Sequence, residues 1–393
     1  MVHVVVKPSV EQLIARAEIM IPTLRERAEQ ADRDRNLAPE TIKDLRQAGF
    51  FRILQPERLG GYAMRPSALW EVTRHLGRGC GSTAFVVSLL GLHAWMVGMF
   101  EPRAQEEVFR GGSDAVVPNL SIGARRSNEV VVSGEGYTAS GAWRYASGID
   151  HAEWVIAAIH VPNGDTGEER IALIPQREFV VDHDSWNVIG ARGTGSKTVT
   201  LTKVFVPQYR TICWSDVAHG TYPGAAIDDG PLYRLSAGSL LVLSSAAPVI
   251  ALACGMIDIF IDHMKERVTH GGGKSQAHQQ WVQIELGRCA SEIYSAQARL
   301  IHDADEVFDW ALSGHEPSLE DQARHRADAA VLARAALAAA ERLSLALGGS
   351  LLPAGTPAER AFRDIHAVAS HFRVQPEAAC EVYGRVLLGL DPA

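Results

Sequence analysis

The 393-residue chain has only five cysteines, Cys80, Cys213, Cys254, Cys289 and Cys380, and none falls in a Cys-x-x-Cys pair. An odd, scattered set excludes a disulfide framework and offers no ligand spacing for a structural zinc, so no metal site is expected. No basic cluster stands out against a net charge of −8, which argues against nucleic acid as the main partner. Gly-x-Gly-x-x-Gly, the Walker loop and the Gly-x-Ser-x-Gly elbow are all missing, so a dinucleotide-type fold is not indicated. The start, Met1-Val-His-Val-Val-Val-Lys-Pro8, lacks the basic region and long apolar run of a cleavable signal, and a cytoplasmic location is expected. No repeat of fixed period is present. Two apolar stretches, Thr83–Phe100 and Leu240–Met256, approach the lower limit for a membrane span. The first contains His93 and the second Ser244, Ser245 and Pro248, and both read as helices buried inside a bundle.

What is there suits a globular protein of two or three domains: 47% of residues are hydrophobic, enough for a large core. Val10, Leu13, Ile14, Ala17, Ile21, Leu24 and Ala28 recur at helical spacing, with Pro22 expected to kink the helix. Pro39 opens a short helix that Gly49 closes, and Phe50–Tyr62 reads as a loop. Helical patterns resume at Pro66–Arg78, Cys80–Phe100 and Pro102–Arg110. Beyond Gly111-Gly112 the period changes. Val130–Val132, Tyr137–Ser140, Trp154–Val161, Arg170–Ile174, Phe179–Val181 and Thr198–Val206 read as strands of a small sandwich or barrel. From Leu235 the pattern is helical again, over Leu235–Val268, Gln276–Ser313, Leu319–Leu347, Pro357–His371 and Pro376–Leu388, as in a bundle. A loop at His270–Lys274 breaks the run. The expected division is a helical domain at 1–111, a β domain at 112–212 and a helical bundle at 213–393.

Three stretches carry unusual chemistry. Trp143-Arg-Tyr-Ala-Ser-Gly-Ile-Asp-His-Ala-Glu-Trp154 crowds indoles, a phenol and a histidine around Gly148, and reads as a loop folded against something large and flat. Gly190-Ala-Arg-Gly-Thr-Gly-Ser-Lys-Thr-Val-Thr-Leu-Thr-Lys-Val-Phe-Val-Pro207 opens with a polar, glycine-spaced loop and runs on as a strand. Arg360-Ala-Phe-Arg-Asp-Ile-His-Ala-Val-Ala-Ser-His371 is a helix ending in histidine. In this order, within a helix–β–helix layout, they resemble the acyl-CoA dehydrogenase superfamily, and more closely its flavin-dependent monooxygenases, the oxygenase components of two-component aromatic hydroxylases. The resemblance spans nearly the whole chain. It implies a mainly α fold with a central β domain.

The resemblance also implies roles. Ser147 would bond the flavin ring near its reactive nitrogen, and Trp143 would wall the ring edge. His371 would sit beside the flavin and help hold a flavin hydroperoxide. His93, from Ser88-Leu-Leu-Gly-Leu-His-Ala-Trp95, would face a substrate hydroxyl; an imidazole is suited to drawing the proton from a phenol. Trp95 and Met96 would help line an aromatic or polycyclic substrate. Ser121 matches a stretch facing substrate and flavin, with Asn119 the competing residue. Arg192, Thr194, Ser196 and Lys197 would cradle a flavin phosphate through their loop, though an exposed strand connection would read the same way. Arg267 resembles an arginine that reaches flavin phosphate, often across a subunit interface.

The expected activity is hydroxylation of an aromatic or phenolic substrate by reduced FMN or FAD and O2. The reduced flavin would come from a separate NAD(P)H-dependent reductase, since the chain has no nicotinamide fingerprint. A homotetramer is implied. Two other reactions on the same fold stay open: dehydrogenation of an acyl thioester, which needs a carboxylate base, and oxygenation at nitrogen or sulfur. At the place where many acyl-CoA dehydrogenases carry that carboxylate, this chain has Ser370, His371 and Phe372. A binding protein without catalysis is a third possibility, set against by the presence of both His93 and His371.

Overall fold

The computed structural model describes residues 6–120, 129–163, 166–228, 230–268, 273 and 275–392. It opens with helix α1 (Val10–Asp34), whose N-terminus is closed by a capping box between Ser9 and Gln12. The helix runs without interruption through Pro22. Leu13 and Ala17 before the proline, and Leu24, Ala28 and Ala31 after it, are all buried. That packing offsets the one lost backbone hydrogen bond. Helix α2 (Pro39–Ala48) ends at Gly49, whose φ of +82° suits glycine. Two short 3-10 turns occupy the stretch expected as a loop, and α3 (Pro66–Gly77), α4 (Gly81–Val97) and α5 (Pro102–Val108) follow.

Eight strands come next: β1 (Asn119–Leu120), β2 (Glu129–Val132), β3 (Gly136–Ala146), β4 (Trp154–Asn163), β5 (Thr166–Pro175), β6 (Val180–Asp182), β7 (Lys197–Pro207) and β8 (Thr211–Cys213). They form two four-stranded sheets, ordered β1-β4-β5-β8 and β2-β3-β7-β6. Neighbours are antiparallel except β1 and β4. The stretch at 143–154 is not the loop its residue types suggest. Strand β3 continues to Ala146, with a register shift against β7 between Trp143 and Ala146. Such a shift re-aims the side chains that follow it. Only Ser147–Glu153 forms the connection, and it is pinned at both flanks. The Asp150 carboxylate meets Lys197 Nζ at 2.6 Å, and His151 Nε2 donates to the Leu37 carbonyl at 2.9 Å.

The chain then turns helical: α6 (Trp214–His219), α7 (Ala237–Glu266), α8 (Gln280–Ser313), α9 (Leu319–Ala346), α10 (Pro357–Ala369) and α11 (Pro376–Leu387). Helix α7 is the hub, touching α3, α4, α8, α9 and α10. Among the described residues it is the one helix long and apolar enough to cross a membrane, yet 94% of its most apolar window is buried inside the protein. A helix enclosed on all sides reads the same way in sequence. It crosses α3 so closely that a Cβ on Gly77 would come within 2.4 Å of the Ala251 carbonyl oxygen. The loop His270–Lys274 lies, apart from Gly273, outside the described residues.

A cavity between the sheets and the helices

A cavity of about 560 Å3 opens where the β sheets meet the two helical regions. Its walls come from α4 (Phe85, Leu89, Leu92, His93), from Asn119 in β1, from Tyr145 and Ser147 at the end of β3, and from the loop 186–196. The remaining walls are Trp214, α7 (Leu241, Ser244, Ser245) and the end of α10 with residues 370–373. Residues 85, 89, 92 and 93 share one face of α4 by helical spacing. Distant sequence therefore converges: Ser147 closes β3, Thr194 and Ser196 precede β7, and His371 follows α10. The convergence depends on Gly190, where a Cβ would lie 2.2 Å from the Arg363 carbonyl oxygen. Nothing larger lets this loop reach α10.

The two histidines present opposite faces. The His93 Nδ1 lies 3.0 Å from the Val117 carbonyl oxygen. A carbonyl only accepts, so Nδ1 carries the proton and Nε2 is left as an acceptor. At His371 the arrangement reverses: the Arg373 backbone N–H donates to Nδ1 at 3.3 Å, closing the turn Phe372–Val374. Its proton is therefore on Nε2, which is a donor. Neither Nε2 has a hydrogen-bond partner among the described residues, and both side chains line the cavity. Burial holds both imidazoles neutral. It pushes His93 down to about 3 against a pull from the Val117 carbonyl, and His371 down to about 4, with the Arg373 charge adding to both.

A chain of hydroxyls lies on the sheet side. Ser147 Oγ is 2.8 Å from Ser196 Oγ, which is 2.7 Å from Thr194 Oγ1, which donates to the Ala191 carbonyl at 2.8 Å. The terminal carbonyl sets the direction. Thr194 gives its proton to Ala191, Ser196 gives to Thr194, and Ser147 gives to Ser196. Ser147 then faces the cavity with its oxygen as an acceptor. Beside it, Tyr145 is held at φ +68°, a left-handed conformation that costs a non-glycine residue about 1–2 kcal/mol. The conformation puts the phenol edge-on to Trp186, ring centres 6.3 Å apart.

Of the residues expected to form the site, the structure brings His93, Asn119, Ser147, Thr194, Ser196 and His371 to one cavity. The others stand elsewhere. Trp143 is fully buried, and its indole N–H donates across to the Ala158 carbonyl of β4 at 2.8 Å; it ties the two sheets together instead of walling the cavity. Trp95 points away from His93 and donates to the Leu232 carbonyl. Met96 is buried behind Asn119, whose amide meets its sulfur at 3.2 Å. Arg192 donates to the carbonyls of Asp32 and Val188, and Lys197 is locked to Asp150. The backbone N–H groups of Ala191, Thr194, Gly195 and Lys197 are also engaged, the first by the Asp364 carboxylate and the rest within the loop. The loop is thus a brace between β7 and α10, and its cations are not free to hold a phosphate there. Arg267 caps α7, donates to the Leu347 carbonyl and does not line this cavity. Ser121 lies outside the described residues.

Several lining residues escaped the sequence reading. Tyr145 sat inside a motif already singled out. Ser244 and Ser245 were visible as hydroxyls in an apolar run. Arg373 and Trp214 gave only a lone arginine after a histidine and a lone indole. His366 lines the cavity too, but the Phe362 carbonyl and the Glu341 carboxylate hold its ring. No aspartate or glutamate lines the cavity among the described residues, so no carboxylate base for an acyl thioester stands there.

Comparison with known proteins agrees with this geometry. The acyl-CoA dehydrogenase N-terminal domain profile matches residues 15–109 and the C-terminal domain profile residues 243–376. The chain is 33% identical over 377 residues to the flavin-dependent monooxygenase oxygenase subunit HsaA of Rhodococcus jostii, covering 95% of this chain and 98% of that protein. It is 29% identical over 398 residues to the oxygenase component of an FADH2-dependent resorcinol hydroxylase of a Rhizobium species, covering 98% and 96%. The crystal structure of a 3-HSA hydroxylase from Rhodococcus superposes with a TM-score of 0.91 at 31% identity, over 97% of each chain.

Proposed function

The chain belongs to the acyl-CoA dehydrogenase family, in its branch of flavin-dependent monooxygenase oxygenase subunits, and from that premise we propose how its cavity serves the reaction. The protein is the oxygenase component of a two-component flavoenzyme that hydroxylates an aromatic substrate with reduced flavin and O2, the reduced flavin being delivered by a separate reductase. When bound, the flavin supplies two electrons to O2, so that one oxygen atom enters the ring and the other leaves as water.

The cavity suits that cofactor by its donor set. Ser147 is an acceptor, which matches the ring N–H that a flavin carries only when reduced. The His371 Nε2–H is a donor on the facing wall, and Tyr145 and Trp186 offer flat apolar surface. The His93 Nε2, buried and unprotonated, accepts a hydrogen bond from the phenol hydroxyl, which polarises the O–H bond and makes the ring carbon a better nucleophile. Phe85, Leu89, Leu92 and Leu241 exclude water from the reacting centre. Reduced FMN and reduced FAD both satisfy this donor set.

The observation that carries the reading is the pair of Nε2 atoms of opposite polarity, unpartnered among the described residues, on the walls of one cavity. Stopped-flow absorbance tests it. Anaerobic protein with reduced FMN, and separately reduced FAD, is mixed with oxygenated buffer. A near-ultraviolet transient that outlives free reduced flavin is expected; immediate reoxidation with both flavins would sink the reading.

The assembly is proposed to be a homotetramer. Exposed Trp281, Ile284 and Tyr294 on α8, with Leu387, Leu388 and Leu390 at the end of the chain, support it by leaving apolar surface to cover. Arg267 is proposed to serve a flavin phosphate across such an interface, which accounts for its distance from this cavity. Light scattering gives the subunit number directly. A cytoplasmic location is proposed, supported by five cysteines that form no disulfide.

A further inference from the structure

One charged side chain in the cavity has no ion-pair or hydrogen-bond partner among the described residues. Arg373 sits in the turn Phe372–Val374, which packs on α7 and α9. Its side chain lines the cavity, and its guanidinium lies 5.0 Å from the centre of the adjacent Phe372 ring. No hydrogen bond or ion pair reaches it from any described residue.

Three other partly buried arginines are treated differently. Arg210 meets Glu107, Arg342 meets Glu285 and Glu292, and Arg363 meets Asp32 and Glu359. That is the ordinary rule, because a guanidinium taken out of water without an anion is costly. Burial lowers the Arg373 pKa, yet guanidinium stays charged in proteins. The cavity therefore holds a permanent positive charge with no carboxylate beside it among the described residues. His93, also on the cavity wall, offers an acceptor for a hydroxyl, and Leu241 and Trp214 make the surroundings apolar.

We propose that Arg373 is a specificity residue that binds an anionic substituent, such as a carboxylate, on the aromatic substrate. The proposal deepens the monooxygenase reading and rests on it for the identity of the ring. The substrate is then a hydroxylated aromatic acid, its hydroxyl at His93 and its oxyanion at Arg373, where planar guanidinium and carboxylate pair through two hydrogen bonds. A flavin phosphate is the other oxyanion of matching chemistry.

Equilibrium binding separates the two sources, read from tryptophan fluorescence under anaerobic conditions with flavin present. The probes are para-hydroxyphenylpropanoate with its primary amide, and hydroxynaphthoate with its primary amide. Wild type is expected to prefer the acid by roughly tenfold or more, the scale of a hydrogen-bonded charge. Arg373→Gln abolishes or inverts the preference, Arg373→Lys keeps part of it, and affinity for reduced FMN and FAD is unchanged in both. Equal affinity of wild type for acid and amide in both pairs would overturn the proposal. So would an Arg373→Gln variant that keeps the acid preference while losing flavin affinity, since the oxyanion would then be the flavin phosphate. No oxygen is present, so the result stands or falls apart from the oxygen chemistry.

Discussion

His93 and His371 face one cavity from opposite walls, and the backbone makes them different reagents. On α4, a carbonyl from Val117 takes the Nδ1 proton, so the cavity sees a lone pair. After α10, an N–H from Arg373 supplies a proton to Nδ1, so the cavity sees an N–H. His93 is buried and His371 half-buried, both are neutral, and neither is ion-paired among the described residues. The partner of the hidden nitrogen sets which proton the visible one can move. Side-chain identity alone would have given them one role.

The largest break in this comparison is His93→Ala. We expect oxygen transfer to a phenol to fall by about 10²-fold or more, the scale of one lost hydrogen bond to charge that develops in the transition state. The near-ultraviolet transient should persist, with hydrogen peroxide appearing in place of product. Single-turnover absorbance and peroxide assay measure both. His371→Ala should do the opposite: the transient shortens, and product falls only in proportion to its lifetime.

A smaller effect is expected along the hydroxyl chain. Thr194→Val removes the acceptor that orients the Ser196 hydroxyl, so Ser147 no longer presents only its oxygen. Affinity for reduced flavin should drop by several-fold, on the scale of one neutral hydrogen bond, while affinity for oxidised flavin stays level or rises. Titration of both redox states checks it, and equal losses in both would contradict the direction assigned to the chain.

Acid stability gives the smallest and most general test. Both imidazoles titrate lower in the folded protein, near 3 and 4, than the ordinary 6.5. The unfolded chain therefore takes up protons first. Stability from these groups is fully present above about pH 6.5 and is lost as pH falls, at up to about 1.4 kcal/mol per pH unit for each. His93→Gln should flatten the loss measured by urea denaturation between pH 6.5 and 4.5.

The fold was legible where its signals are local. Helical spacing, Pro39 and Gly49 at the ends of α2, and the change of period after Gly111-Gly112 placed most elements. The candidate cavity was legible where a motif carried its lining, as at Ser147 and His371. Trp143 misled, because an indole in a motif looks the same whether it faces a ligand or ties two sheets together. Arg192 and Lys197 misled for a related reason: their carboxylate and carbonyl partners, Asp150 and Asp32, are remote in sequence. Arg373 was invisible because its significance is the absence of a partner, which only a folded chain can display.

The opposite polarity of the two histidines can be measured by 15N NMR of histidine-labelled protein at pH 7, with His93→Gln and His371→Gln spectra assigning the signals. The account predicts a neutral ring protonated at Nδ1 for His93 and a neutral ring protonated at Nε2 for His371. The same tautomer at both positions, or an imidazolium at either, would contradict it.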